Sequence, residues 1–397
     1  MQKLEQENQD LKRRLDSLEE VVKKEGLMPS EQPGSKAVSA LSGITISGFV
    51  STSFFHDTSD PHTPGSYSPG YLWSRYNNAF TLNKFKLTLA SPPVERSGDK
   101  FDAAFRTSLI IGDDAPYVNT SPKNPTAGAA IGAGDTLLRE AYVELNVPIG
   151  TGLNVRAGEL ISLLNYESGD GGAANNNFSQ GYQWFYTGNP PGAGVQLGYT
   201  FTDWFGMKVR VQNGLFQGPV DNNSSKTFMG SLDFKPTDKI WFSFLGFGGR
   251  EDFVAQSLWG ASFLGGWQAT PELSFGTELD YFDFFNPSGP VKGNSPVWST
   301  GLWTDYNFTK KVGVGLRAEF LSDKDGADVS AGDPLGFLNP AGTGQDLSSV
   351  ALTLNLMPVP YIKIQPEVRF DHTSWAGGFV PGKDNRVIFG AGVSYLF

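Results

Sequence analysis

The residues of this 397-residue chain that could do chemistry are of two kinds. The first kind could do covalent work, and it is sparse. The chain has no cysteine and 3 histidines, His56, His62 and His372. Thiolate catalysis, disulfides and thiolate zinc sites are excluded, and so few histidines leave little for a histidine metal cage. His372 beside Asp371 and Ser374 is the one grouping a hydrolase could use. No Gly-x-Ser-x-Gly elbow and no His-Glu-x-x-His motif accompany it. Gly377 to Lys383 matches Gly-x4-Gly-Lys, but Asp384 follows where a phosphate loop needs Ser or Thr. Asp323-Lys324-Asp325-Gly326-Ala327-Asp328 has acidic character without the spacing and terminal Glu of a calcium loop. Solvated loops account for both. No catalytic residue, metal or cofactor is expected, and the chain is not expected to be an enzyme.

The second kind is abundant: charged side chains on alternate positions. Lys84, Lys86, Arg106, Arg156, Lys208, Arg210, Arg317, Lys363 and Arg369 fall on the polar face of such alternating stretches. So do Glu140, Glu144, Glu278, Asp280, Glu319, Glu367 and Asp371. Ile362, Ile364, Val368 and Phe370 fall against Lys363, Gln365, Glu367, Arg369 and Asp371. Met207, Val209 and Val211 fall against Lys208, Arg210 and Gln212. A period of two is a β-strand with one apolar and one polar face.

Sixteen such strands are predicted: 42–55, 78–91, 100–113, 136–148, 152–164, 190–202, 204–216, 225–236, 239–251, 256–269, 272–286, 296–309, 311–323, 346–357, 360–374 and 386–397. Their connections alternate in length. Those at 149–151, Asp203, 237–238, 270–271, Lys310 and 358–359 are tight. Those at 56–77, 114–135, 165–189, 217–224, 287–295, 324–345 and 375–385 are long and rich in Gly, Pro, Asn and Asp. An even strand count with short turns at one end and long loops at the other is the pattern of a transmembrane β-barrel. Aromatics cluster at strand ends: Trp204, Phe205, Trp241, Phe242, Tyr306, Phe308 and Tyr361 near tight turns; Tyr281, Phe282, Phe284, Phe285 and Trp298 at the other end. Two such bands fit the girdles at the membrane interfaces. In a soluble sandwich the aromatics would sit mid-strand.

The fold class expected is therefore all-β, a transmembrane antiparallel up-and-down barrel of about 16 strands. Composition agrees. The 48 glycines are about 12% of the chain, against a usual ~7%. Aromatics reach 13%, while mean hydropathy is negative. No run approaches the 18 apolar residues of a helical span. A net charge of -10 argues against nucleic acid as a partner.

In such a barrel the polar faces turn to an interior filled with water, because Arg or Lys facing lipid at midplane costs about 2–4 kcal/mol. Sixteen strands leave an aqueous bore. Small residues at inward positions, Gly158, Gly276, Gly313, Gly315, Gly390 and Gly392, would keep it open. Wall charges could equally pair across strands to hold the wall. The loop at 165–189 carries Glu167, Asp170, Phe178, Tyr182, Trp184, Phe185 and Tyr186. Loops this long in compact domains are usually functional. Folded inward, its acids would face Lys84, Lys86, Arg106 and Arg156 and set up a transverse field; the alternative is a cap outside the barrel. The candidate pore-lining and constriction residues are Lys84, Lys86, Arg106, Arg156, Glu167, Asp170, Lys208, Arg210, Arg317 and Arg369.

The chain ends Val393-Ser394-Tyr395-Leu396-Phe397, which resembles the C-terminal strand that bacterial outer-membrane proteins present to the barrel-assembly machinery. The stretch from Ile44 to Phe55, the segment Gly194 to Asp203, then Val211-Gln212-Asn213-Gly214 and Asp221-Asn222-Asn223 resemble the putative β-barrel porin-2 (OmpL-like) family. The likeness spans about 42–397. It implies a bacterial outer-membrane porin, a passive channel for small hydrophilic solutes and ions, in contact with lipid bilayer and lipopolysaccharide.

Residues 1–25 differ from the rest. They hold 6 Lys/Arg and 7 Asp/Glu, with Leu4, Leu11 and Leu18 at heptad d and Asn8, Leu15 and Val22 at a. This reads as a short coiled-coil helix, with a solvated single helix as the alternative. Residues 26–41 form a Pro/Gly-rich linker, and 42–397 the barrel. Met1 leads into charged heptads without an apolar stretch, which suggests a processed form. A periplasmic helix of this kind is similar to those by which some porins approach the cell wall, so a tether to the wall is the alternative role. Homotrimers are expected, with Ile44, Ile46, Val50, Val387, Phe389, Val393 and Phe397 as the contact face. Slight cation selectivity is expected from the acidic loops.

Overall fold

A computed structural model describes residues 43–59, 68–70, 75–115, 136–188, 192–215, 221, 223–251, 255–287, 290–329, 339–340 and 342–397. The coiled coil expected at 1–25 and the linker at 26–41 lie outside the described residues. Sixteen strands run in order: β1 (Thr45–Asp57), β2 (Ala79–Ala90), β3 (Asp102–Ile111), β4 (Thr136–Val147), β5 (Leu153–Leu160), β6 (Gly192–Thr202), β7 (Phe205–Gln212), β8 (Thr227–Thr237), β9 (Ile240–Glu251), β10 (Ala255–Gln268), β11 (Leu273–Pro287), β12 (Asn294–Thr309), β13 (Val312–Asp323), β14 (Gln345–Val359), β15 (Ile362–Thr373) and β16 (Asn385–Leu396). Each pairs antiparallel with the next, and β16 closes on β1. Closure leaves no unpaired edge, which a membrane-embedded sheet requires.

The first and last strands meet at the short-turn end, where the Gly48 and Phe397 amides each donate to the other's carbonyl at 2.9 and 3.0 Å. The alternation of connection lengths has two exceptions. Residues 91–101 at the short-turn end are long and are held by the Asn146 amide, which donates to Ser97 and Lys100 carbonyls at 2.8 Å. Only 252–254 separate β9 from β10 at the other end.

The period-two reading places the faces. On β15 the side chains of Gln365, Glu367, Arg369 and Asp371 are buried inside, while Val368 and Phe370 are 44% and 45% exposed outside. This inverts a soluble protein, and lipid covers the apolar outside. His372 also points outward. Its Nδ1 lies 2.9 Å from Asn385, whereas Asp371 turns inward to Arg369 and Arg386, so the two cannot act together.

Two expectations change. Strands β5 and β7 end at Leu160 and Gln212, four residues earlier than their periodicity suggests. After β5 the chain turns inward, with Ser162 donating to Asn165 at 2.8 Å and Asn165 in the left-handed region at φ 97°. Second, three of the girdle aromatics face inward. Phe282 and Phe284 are fully buried, while Tyr281, Phe285 and Trp298 stay outside. Trp241 also points inside, because only one of two consecutive residues can face lipid and Phe242 takes that side.

Phe282 and Phe284 belong to an apolar sector of the lumen. Met229, Leu245, Phe247, Phe282, Phe284 and Leu321 form one buried cluster with Leu164, Tyr182, Phe185 and Tyr186 of the loop after β5. A barrel lumen with an apolar sector needs something to cover it, and this loop does. Phe282→Ala is expected to cost about 3–5 kcal/mol through the cavity it leaves. Phe285→Ala on the lipid face should cost much less. Denaturant unfolding in vesicles measures both; equal losses would contradict an inward Phe282.

A candidate solute pathway

The connection from Ile161 to Thr187 folds into the barrel. Its centre is a 3-10 turn at Gly172–Ala174 and a one-turn helix, α1 (Tyr182–Tyr186). Inside a barrel its backbone groups must find partners, and wall side chains supply them. Glu367 on β15 accepts the amides of Phe178 and Ser179 at 2.7 and 3.2 Å and the Thr353 hydroxyl at 2.6 Å. Arg369 donates to the Gln180 carbonyl at 2.8 Å, and Lys363 to the Asn175 carbonyl at 2.6 Å. Gln183 donates to Asp280 at 2.8 Å.

Two loop carboxylates carry the ion pairs. Glu167 meets Arg317 on β13 at 2.9 Å, and Arg317 also holds Glu319 at 3.0 Å and the Ser179 carbonyl at 2.5 Å. Burial pushes the Glu167 carboxyl up while Arg317 opposes it. On the other side Asp170 pairs with Lys86 on β2 and, at 3.1 Å, with Arg139 on β4. Burial alone would raise the Asp170 carboxyl; Arg139 and Lys86 outweigh it and hold it down at about 2.

Wall glycines act as sockets. A Cβ on Gly392 would lie 2.0 Å from the Phe178 ring, one on Gly276 2.0 Å from Tyr166, and one on Gly301 2.1 Å from Gln183. The expectation that Gly276 and Gly392 widen the bore is thus corrected: they admit the loop.

The ten candidate residues separate into two groups. Arg317 and Arg369 are fully buried beneath the loop and anchor it. Lys84 is buried against Asp114 at 3.1 Å and donates to the Asp170 carbonyl. Lys86, Glu167 and Asp170 form the clamps. Arg210 is buried against the Gln196 and Gln212 amide oxygens. Arg106, Arg156 and Lys208 are partly open, each beside its own wall acid: Glu140 at 2.8 Å, Glu144 at 2.9 Å and Asp233 at 2.6 Å. The loop acids therefore pair with Lys86, Arg139 and Arg317 in direct contact, and Arg106 and Arg156 pair on the wall; the expected field across an aperture shrinks into contact pairs.

Sequence alternation missed Arg139. Ser108 pairs with Glu140 and Leu109 with Leu138, so Arg139 is the extra residue of a β-bulge and turns inward out of phase. Arg96, reaching Glu144 at 4.0 Å from the 91–101 connection, has no strand phase to reveal it.

Two cavities remain along the β3–β8 side of the lumen. A cavity of about 440 Å³ is bordered by Arg106, Glu140, Tyr142, Asn165, Tyr166 and Trp184. Another of about 410 Å³ at the short-turn end is bordered by Arg96, Arg156, Lys208, Asp233 and Trp241. The Asp170 clamp should survive mild acid. Its carboxyl is depressed, so the stabilisation is present above the unfolded value of about 3.9 and is lost as pH falls through about 2. The infrared difference between the protein and Asp170→Asn should lose its carboxylate band near that pH; a midpoint near that of a free aspartate would contradict the clamp.

The model of one family, described as "Putative beta-barrel porin-2, OmpL-like", matches residues 43–397. Among solved structures, the barrel is similar to Pseudomonas putida OprB, with a TM-score of 0.60 at 12% identity over 92% of this chain and 96% of that one. It is similar to an anion-selective porin from Comamonas acidovorans, with a TM-score of 0.55 at 13% identity over 89% and 99% of the two chains. The outer-membrane channel DcaP of Acinetobacter baumannii gives 0.54 at 13% over 89% and 97%. At these identities the likeness is one of fold. No curated protein matches. With a closed 16-strand barrel, an inward loop and a family match over the whole barrel, the chain belongs to the β-barrel porin-2, OmpL-like, family of outer-membrane proteins.

Proposed function

We propose that this barrel passes small hydrophilic solutes and ions by passive diffusion, along the path between the inward loop and β3–β8. The observation that carries the reading is the unfilled lumen bordered by the partly open Arg106, Arg156 and Lys208. Filtering is by size and by side-chain charge. Planar-bilayer conductance tests it, and a sealed barrel would favour the tethering role instead.

Cation preference should be weak. Glu278 and Asp280 accept from neutral donors, the Tyr166 amide at 2.7 Å and Gln183 and Thr187 at 2.8 and 3.0 Å. Arg210 and Lys363 face neutral acceptors. Paired charges nearly cancel, leaving the acidic loops to set the sign. Reversal potential in a salt gradient should have the cation sign, and Asp170→Asn should move it toward anions by leaving Lys86 and Arg139 without their counter-charge. An unmoved potential would put the filter elsewhere.

The short-turn end, where β1 begins and β16 ends, faces the periplasm in this reading, and residues 1–25 are proposed to emerge there. Val387, Phe389 and Val393 lie on the lipid side of β16, and Ile46 and Val50 on that of β1. We propose this face as a trimer contact. Three coils tethered beside it reach roughly millimolar effective concentration, enough to help a helix too short to form alone. Native mass spectrometry in detergent should find a trimer that survives deletion of 1–25; a monomer would refute it.

A further inference from the structure

One inward aromatic is left uncovered. Trp303 on β12 is 5% exposed under the loop, but Trp241 on β9 is 41% exposed although it faces the lumen. An indole in water is unfavourable, and its place is fixed. Gly266 beneath it has no side chain, and a Cβ there would lie 2.3 Å from the indole nitrogen. Tyr166 stacks parallel to it, 6.1 Å between centroids and 8° between planes. Tyr166 in turn stacks on Trp303 at 4.6 Å, and Trp303 donates from its indole nitrogen to Glu167 at 3.3 Å. The loop thus holds a rigid aromatic surface with one member open.

This surface borders a cavity of about 300 Å³ on the short-turn side of the loop, whose other rim is polar: Asn175, Asn176 and Asp305. Asn355 donates to the Asn176 carbonyl at 2.9 Å and holds that rim. Asp305 is hydrogen-bonded to Asn176 and lies near enough to Lys363 for their charges to interact. Glu167 is neutralised by Arg317. The cavity therefore joins a flat apolar face to a rim of carboxylate and amide groups without a strong net field. Trp241 also borders the 410 Å³ cavity, so it stands between the two.

We propose that this cavity is a binding subsite for a neutral sugar ring. A pyranose has C–H faces that pack on an aromatic plane and a rim of hydroxyls that donate to Asp305 and the Asn176 amide oxygen. An apolar solute would leave those polar groups desolvated and unpaired. An acid would meet the Asp305 carboxylate. An organic cation suits an indole and a carboxylate, but Lys363 opposes it. The inference rests on the porin reading and names the solute class it serves.

The test is ion current through the full-chain protein in planar bilayers, with glucose, open-chain mannitol and arginine as probes. Glucose should reduce the current along a saturating curve, beyond the viscosity effect of equal mannitol. Trp241→Ala should weaken that block roughly tenfold, the scale of one lost aromatic contact. Gly266→Val, which displaces the indole without removing it, should weaken it too. Each variant is compared with its own sugar-free current. Glucose and mannitol acting alike, block unchanged in both variants, or block by arginine alone would overturn the proposal. A protein that carries no current at all would instead refute the porin reading.

Discussion

The Arg317–Glu167 pair is the contact on which the lumen depends. A guanidinium with no exposed surface cannot stay charged inside a wall unless carboxylates and carbonyls surround it, and Arg317 has Glu167, Glu319 and the Ser179 carbonyl. Breaking one side of such a buried pair costs about 3–5 kcal/mol, because the remaining charge is left uncompensated. Glu167 belongs to the loop, so the requirement of Arg317 decides where the loop lies. Asp170, three residues on, is then carried to the opposite wall, where Lys86 and Arg139 receive it. Two clamps on opposite walls fix a loop that has only one turn of helix of its own.

The rest of the interior is arranged around that path. Apolar inward residues such as Phe282 and Phe284 would be unfavourable in a wet bore, and the loop covers them with Tyr182, Phe185 and Tyr186. Wall glycines stand where loop side chains come closest. Glu367 takes loop amides that would otherwise have no partner. The loop therefore works as a second wall, dividing the lumen into a packed side under β11–β16 and an open side along β3–β8. The partly open cations Arg106, Arg156 and Lys208 lie on the open side, and each stands beside an acid of the same wall. In the proposed channel, a lumen built from contact pairs presents little net field to a passing ion, so shape and local hydrogen bonding weigh more in what it prefers. The uncovered Trp241, at the edge between the packed and open sides, is where such preference has a surface to act on.

The strands, their order and their faces were legible in the sequence because a barrel wall imposes one rule on every residue: outward is lipid, inward is not. That rule gives period two directly, and it placed Glu367, Arg369 and Asp371 inside and Val368 and Phe370 outside. The long connection after the fifth strand, with its acids and aromatics, stood out by length and composition. The absence of cysteine and the scarcity of histidine excluded most covalent chemistry; that His372 and Asp371 face opposite ways came with the structure.

Only the tertiary structure decided which inward residues meet water. Lys84, Arg317 and Arg369 have the same phase as Arg106, Arg156 and Lys208, yet they are buried, because the loop lies against them, while Arg210 is buried by its own wall neighbours Gln196 and Gln212. Periodicity reports the face of a strand and carries nothing about what crosses the barrel to cover it. Arg139 escaped for a related reason: one extra residue in a strand reverses the phase, and a bulge is visible only once partner strands are paired. Gly276 and Gly392 read as open space in the sequence and became sockets in three dimensions, since a missing side chain is filled by whatever folds against it.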